Sequence, residues 1–278
     1  MESCVQILSR EFNKNETHVQ NVVSLIDEGY TIPFIARYRK EMHGTMDDTV
    51  LRDLSDRLTY LRNLAERREE VKKAIAAQDK LTPELEKQID EAKTLAEVED
   101  IYRPYKQKRR TRATIAKEKG LEPLALVLLE QKKDLPPLET LAEAYVDAEK
   151  GVASVEEALA GASDIIAEIV SDNAEIRRRL RENIAKGAKV GSEAAKEEDS
   201  VYSLYYKFEQ PLSKMQGHQI LAINRGEKEG LLKVSLEVER DLALGVVTQA
   251  VVKPGSRATE FVRAAAADAY DRLILPSM

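Results

Sequence analysis

Tryptophan is absent from the 278 residues, and cysteine occurs once, at Cys4. One cysteine makes no internal disulfide, so a reducing compartment is expected. Aromatics are 5% of the chain and glycines number 12, too few of either for a β-sandwich or barrel, which draws on both. No run of about 18 apolar residues occurs, so no membrane span is expected. The first 20 residues, with Glu2, Arg10 and Glu11, lack the apolar stretch of a signal peptide, and the expected location is cytoplasmic. Catalytic signatures are missing as well. There is no HExxH or CxxC, and no GxGxxG or GxxxxGKS/T loop for a nucleotide. His18, His43 and His218 stand apart, with His43 in a loop-like Met-His-Gly, and Glu97, Glu99 and Asp100 read as a solvated helix face. Neither an enzyme activity nor a metal or cofactor is expected.

What remains is charge and helical periodicity. The chain is 43% hydrophobic and 33% charged, more charged than the roughly 25% of an average domain, as long solvated helices require. Val5, Leu8 and Phe12 mark a first helix. Asn13-Lys14-Asn15 breaks it, and Asn15 or Thr17 caps a second that stops at Gly29. Pro33 suits the first turn of a third, from Ile32 to Lys40. Together these read as a helix-turn-helix-like bundle. Asp47 or Asp48 then starts a long helix to about Gln78, with Leu51, Leu54, Leu58, Leu61, Leu64, Val71 and Ile75 inward. Thirty residues would span roughly 45 Å, so this helix is expected to act as a spine. Thr82-Pro83-Glu84 starts its hairpin partner, and Thr94 to Glu97 fits a capping box.

Helices are further expected from Pro123, from Leu138 to Lys150, from Ser154 to Val170, from Ser171-Asp172 onward, and from Thr259 to Leu273. Leu232, Val234, Leu236 and Val238 alternate with polar residues, which is a strand pattern. Gln219 to Asn224 reads equally as its partner or as a short helix. Tyr202, Tyr205, Tyr206 and Phe208 read as packing residues.

The net charge is -6, yet residues 103–119 hold Arg103, Lys106, Lys108, Arg109, Arg110, Arg112, Lys117 and Lys119 against Glu118 alone. That stretch is +7 and leaves -13 on the rest. Lysine and arginine bind phosphate oxygens with counterion release, and Tyr102 and Tyr105 lie beside them for stacking. The competing reading is that acidic helices nearby neutralise these cations. Arg37, Arg39 and Lys40 form a second candidate: Arg37 for a buried ion pair, Arg39 and Lys40 for phosphate. Arg177, Arg178, Arg179 and Arg181, with Lys186 and Lys189, read as a solvated face.

Four stretches carry a resemblance. They are Tyr30–Glu41 followed by Asp47-Asp48 and Leu51-Arg52, then Ile101–Ala116 with Gly120–Leu124, then Gly217–Gly226 with Glu229-Gly230, and finally Asp271–Ser277. In this order they resemble the Tex family of bacterial transcription accessory proteins. The resemblance implies a role in transcription and a tie to the related eukaryotic elongation factor. It also implies a longer protein, in which an RNase-H-like domain, helix-hairpin-helix modules and an OB-fold RNA-binding domain follow the helical part. The chain is expected to stop before those domains.

The fold expected is mainly α: a helix-turn-helix-like region over 1–110, a central helical region over 111–200, and a helical region over 201–278 with a short strand or hairpin near 219–238. The function expected is a non-catalytic scaffold associated with RNA or DNA, alone or only with the further domains. Arg103, Lys106, Lys108, Arg109, Arg110 and Arg112, joined by Arg37, Arg39 and Lys40, would contact phosphate, or the loop would orient neighbouring domains. The alternative is a module that docks RNA polymerase or an elongation partner through helical surfaces.

Overall fold

The computed structural model describes residues 3–107, 109–196 and 200–278. It is mainly α, with one small antiparallel sheet. Two compact units divide the chain, Met1–Tyr105 and Lys106–Met278.

The first unit runs α1 (Cys4–Phe12), α2 (Glu16–Asp27), α3 (Ile32–Tyr38), α4 (Lys40–His43), α5 (Asp48–Ala76), α6 (Pro83–Glu91) and α7 (Leu95–Tyr102). Side-chain caps set most of these starts. The carboxylate of Asp47 accepts from the Val50 amide at 2.8 Å, the side-chain amide oxygen of Asn15 accepts from the Thr17 amide at 2.9 Å, and Thr82 and Thr94 cap α6 and α7. The third helix is shorter than its apolar pattern predicts. Arg39 leaves helical backbone at φ -132° and ψ 33°, which separates α3 from the single turn of α4.

Helix α5 serves two cores. Leu51, Leu54, Leu58 and Leu61 pack with Leu8, Val19, Val22 and Ile35 of the short helices. Leu64, Val71 and Ile75 pack with Ile89 and Val98 of the α6–α7 hairpin. Between α5 and α6, the Lys72 ammonium lies 2.5 Å from Glu69 of its own helix and 3.0 Å from Asp90.

In the second unit, α8 (Arg112–Glu118), α9 (Glu122–Glu130) and α10 (Leu138–Glu143) precede the central α11 (Val155–Ser171) and α12 (Ala174–Gly187). Strands β1 (Lys189–Ala194), β2 (Lys207–Pro211) and β3 (Leu232–Glu237) follow, with α13 (Gly217–Lys228) before β3, and α14 (Arg240–Val251) and α15 (Thr259–Asp268) after it. Ala158, Ala162, Ile165 and Ile166 of α11 are fully buried against α9 and α15. The buried Gln131 amide ties the end of α9 to the end of α14: it donates to the Val251 carbonyl at 2.8 Å and accepts from the Lys253 amide at 2.8 Å.

Two boundaries differ from the pattern-based expectation, and one open alternative is resolved. The helix from Leu138 stops at Glu143 because Asp147 accepts from the amides of Glu149 and Lys150, a turn that competes with further helix. Ser171 closes α11 and Asn173 caps α12, its side chain accepting from Ile176 at 3.0 Å. Residues 219–224 are helical, so β3 finds its partner in β1, with Ser192 opposite Val234. The sheet order is β2-β1-β3.

Candidate nucleic-acid interface

The basic stretch straddles the division between the units. Arg103, Pro104 and Tyr105 form a tight helical turn that closes the first unit. Tyr102 and Tyr105 pack against the α5–α7 core, the Arg67 guanidinium lies 5.7 Å from the Tyr102 ring centre, and Gln78 donates to the Tyr105 carbonyl at 2.9 Å. These two rings are therefore occupied in packing, and Arg103 beside them is half-buried.

Lys106, Arg109, Arg110 and Arg112 belong to the second unit and are exposed; Lys108 lies outside the described residues. Arg110 meets Glu118 at 2.8 Å, a solvent-exposed pair that contributes little to stability. Lys117 is held near Glu122 and Glu168 at 3.6 and 3.9 Å. Lys119 donates to the Gly151 carbonyl at 2.6 Å. Arg109 and Arg112 make no ion pair among the described residues. Thr111 places Arg112 at the start of α8: its hydroxyl oxygen accepts from the Thr114 amide at 3.0 Å and its hydroxyl donates to Glu168 at 3.1 Å. Arg112 then lines an open groove of about 330 Å³ with Lys119, Glu157 and Asp164.

The second candidate group lies where α3 gives way to α4. Arg37 is exposed rather than buried, and neither it nor Lys40 makes an ion pair among the described residues. Arg39 donates to the Tyr38 carbonyl at 3.2 Å and holds its guanidinium 5.9 Å from the Tyr30 ring centre and 5.4 Å from that of Phe34. Those rings are part of a ladder. Tyr30 and Phe34 stack with centres 5.0 Å apart and planes 11° apart, and Phe34 meets Tyr38 at 5.1 Å. The four-residue spacing of Tyr30, Phe34 and Tyr38 was the signal that a search for cations alone passes over.

The arginines of α12 are not one solvated face. Arg178 pairs with Glu175 and Glu182, and Arg179 with Glu175. These arginines hold the Glu175 carboxyl down at about 2, Arg178 contributing most. Arg177 is 3% exposed and donates to the carbonyl and hydroxyl of Ser277, both at 3.2 Å, anchoring the end of the chain. His43 ends α4 and is buried, not in a loop. Among the described residues no cluster of three or more histidine, cysteine or acidic side chains is arranged to hold a metal, and no helix is long and apolar enough to cross a membrane.

Geometry thus defines a two-unit helical protein with exposed cations at a connector and at a short aromatic helix. Comparison with known proteins places it further. The Tex-like protein N-terminal domain matches residues 2–76 and the Tex central region-like family matches residues 133–272. The chain belongs to the Tex family. It is 43% identical over 278 residues to the uncharacterized protein YdcI of Bacillus subtilis, covering 98% of this chain and 38% of that protein. It is 40% identical over 240 residues to the transcriptional accessory protein Tex of Neisseria gonorrhoeae, covering 85% of this chain and 31% of that protein. It is 31% identical over 245 residues to the human S1 RNA-binding domain-containing protein 1, covering 84% of this chain and 24% of that protein. The chain therefore spans about a third of the length of its bacterial relatives.

Proposed function

We propose that this chain is a non-catalytic scaffold of a transcription accessory protein, and that its connector contacts the phosphate backbone of RNA or DNA. The observation that carries the reading is the pair Arg109 and Arg112: exposed, without an ion pair among the described residues, and set in a +7 stretch of an acidic chain. A structural role would place carboxylates against these guanidiniums, as Glu175 and Glu182 do on α12. The names of two relatives, a transcriptional accessory protein and an S1 RNA-binding domain-containing protein, support a nucleic-acid setting.

The test is binding of the 278-residue chain to labelled single- and double-stranded RNA and DNA across a salt series. Each phosphate neutralised contributes about 0.9 to the log–log salt slope on duplex and about 0.7 on a single strand. Reversal of Arg109, Arg110 and Arg112 to Glu should lower the slope by about 2–3 and weaken binding to every sequence alike. An unchanged slope refutes the contact.

A second reading has its own support. Val201, Leu204 and Leu221 are 87%, 83% and 72% exposed, which suits docking of a polymerase or elongation partner through helical surfaces. Such binding would respond to these apolar positions and change little with salt.

A further inference from the structure

We infer that the aromatic ladder of α3 is a stacking platform for an unpaired base, with Tyr38 as the ring that receives it. The inference rests on the nucleic-acid reading above but concerns a different place and a different contact.

Tyr30, Phe34 and Tyr38 lie on one face of the segment at four-residue intervals, their centres 5.0 and 5.1 Å apart. Apolar rings stabilise a protein by burial, and these are not spent that way. Tyr38 is 62% exposed and Tyr30 38%. The neighbouring Ile35 is fully buried and fixes the helix to its core, so the rings are presented from an anchored element. Tyr38 has Phe34 on one side and ends the ladder. Its plane is tilted 44° from that of Phe34, so a base laid on it would stack on Tyr38 alone and not continue the Tyr30–Phe34 stack.

Charge selects the occupant. Residues 30–40 contain Arg37, Arg39 and Lys40 and no carboxylate, in a chain of net charge -6. Arg39 is held against the rings by its contacts with Tyr30 and Phe34 and by its bond to the Tyr38 carbonyl. Arg37 and Lys40 remain without an ion pair among the described residues. Cations beside stacked aromatics match the alternating phosphates and bases of a single strand. In a duplex the base faces are already covered by their neighbours, so an unpaired base is the ligand.

Fluorescein-labelled oligothymidylate, an abasic strand of the same length and a blunt duplex would be titrated at low salt against the whole chain. Variants are Tyr38→Ala, Tyr38→Trp and Arg37→Gln, each checked by thermal melting; both positions are exposed. The wild type should prefer oligothymidylate to the abasic strand. Tyr38→Ala should weaken oligothymidylate binding by about 5- to 150-fold, the effect of losing one stacked base, and leave abasic binding unchanged. Tyr38→Trp should restore the preference, and Arg37→Gln should weaken both strands together. Equal binding to the two strands, unmoved by Tyr38→Ala, overturns the platform; if reversal of Arg109, Arg110 and Arg112 still weakens binding, the connector reading survives. A base preference that is lost in Tyr38→Ala but ignores that reversal supports the platform and removes the connector. No binding to any strand overturns both and leaves the rings to a partner protein.

Discussion

Adding one methyl at Gly161 should loosen the second unit, although alanine is the better helix former. Gly161 lies within α11, and a Cβ there would stand 2.4 Å from Leu121 Cδ1 and 3.2 Å from Ala116 Cβ. Replacing a helical glycine by alanine contributes about 1 kcal/mol of propensity. Forcing a methyl into packed side chains costs about 1–3 kcal/mol. Leu121 is 1% exposed and Ala116 4%, so the crowded groups have little room to yield and crowding should win by about 1 kcal/mol. In a unit of this size that lowers the melting temperature by about 2–4 °C. The assay is a far-ultraviolet circular dichroism melt, repeated in a Leu121→Ala background. That second change costs about 2–5 kcal/mol itself but removes the blocking methyls, so Gly161→Ala should then stabilise, a coupling of about 1–2 kcal/mol. A rise of a few degrees for Gly161→Ala alone would show that Leu121 swings aside and would refute the crowding argument.

Two further outcomes follow from the ion pairs and turns. Hydrogen bonds from Arg178 and then Arg179 hold Glu175 at about 2, and Arg57, Arg62 and Arg240 hold Glu11, Asp27 and Asp271 below the ordinary carboxylate range. A carboxyl whose folded value is depressed stabilises fully above its unfolded value, near 4.3 for glutamate, and stops doing so as pH falls toward the folded value. Glu175→Gln should therefore lose under about 1 kcal/mol at neutral pH, the pair being half exposed, and the gap to wild type in urea midpoint should close toward pH of about 2; a constant gap refutes the assignment. At Gly44, φ is +61° and a Cβ would lie 2.2 Å from His18 Nδ1. Gly44→Ala should cost about 1–3 kcal/mol in a thermal melt, and His18→Ala should recover only the steric part; full recovery would show that the backbone is unstrained.

Helix starts were readable because a cap is a local device. Asn15, Asp47, Thr82, Thr94 and Ser154 each accept from an amide two or three residues on, so a window of four residues contains the cause. Strand β1 was not readable for the opposite reason. Its Lys-Val-Gly-Ser-Glu-Ala sequence has one large apolar residue, and it is a strand because residues 207–211 and 232–237 flank it. The candidate site divides the same way. The +7 stretch is visible as composition, and the acids three and four residues from Arg178 and Arg179 are local as well, but that no distant carboxylate among the described residues reaches Arg109 or Arg112 depends on the fold. Arg177 shows the limit most clearly, since its partner Ser277 lies 100 residues away.

The two cores on α5 have a consequence for the phase of that helix. At about 100° per residue, Leu51, Leu54, Leu58 and Leu61 centre on one direction, and Leu64, Val71 and Ile75 on another about 100° around the axis. The change accumulates along the helix: the three-residue step from Leu61 to Leu64 turns the face by about 60°, as the three-residue steps within the first set do, and no four-residue step follows before Val71 to turn it back. Helix α5 is thus a keyed shaft rather than a plain rod: its uninterrupted backbone fixes the angle at which the α6–α7 hairpin leaves the short-helix bundle. One residue inserted or deleted at 62–63 would rotate one set of leucines by about 100°, and the unit would have to give up one core to keep the other.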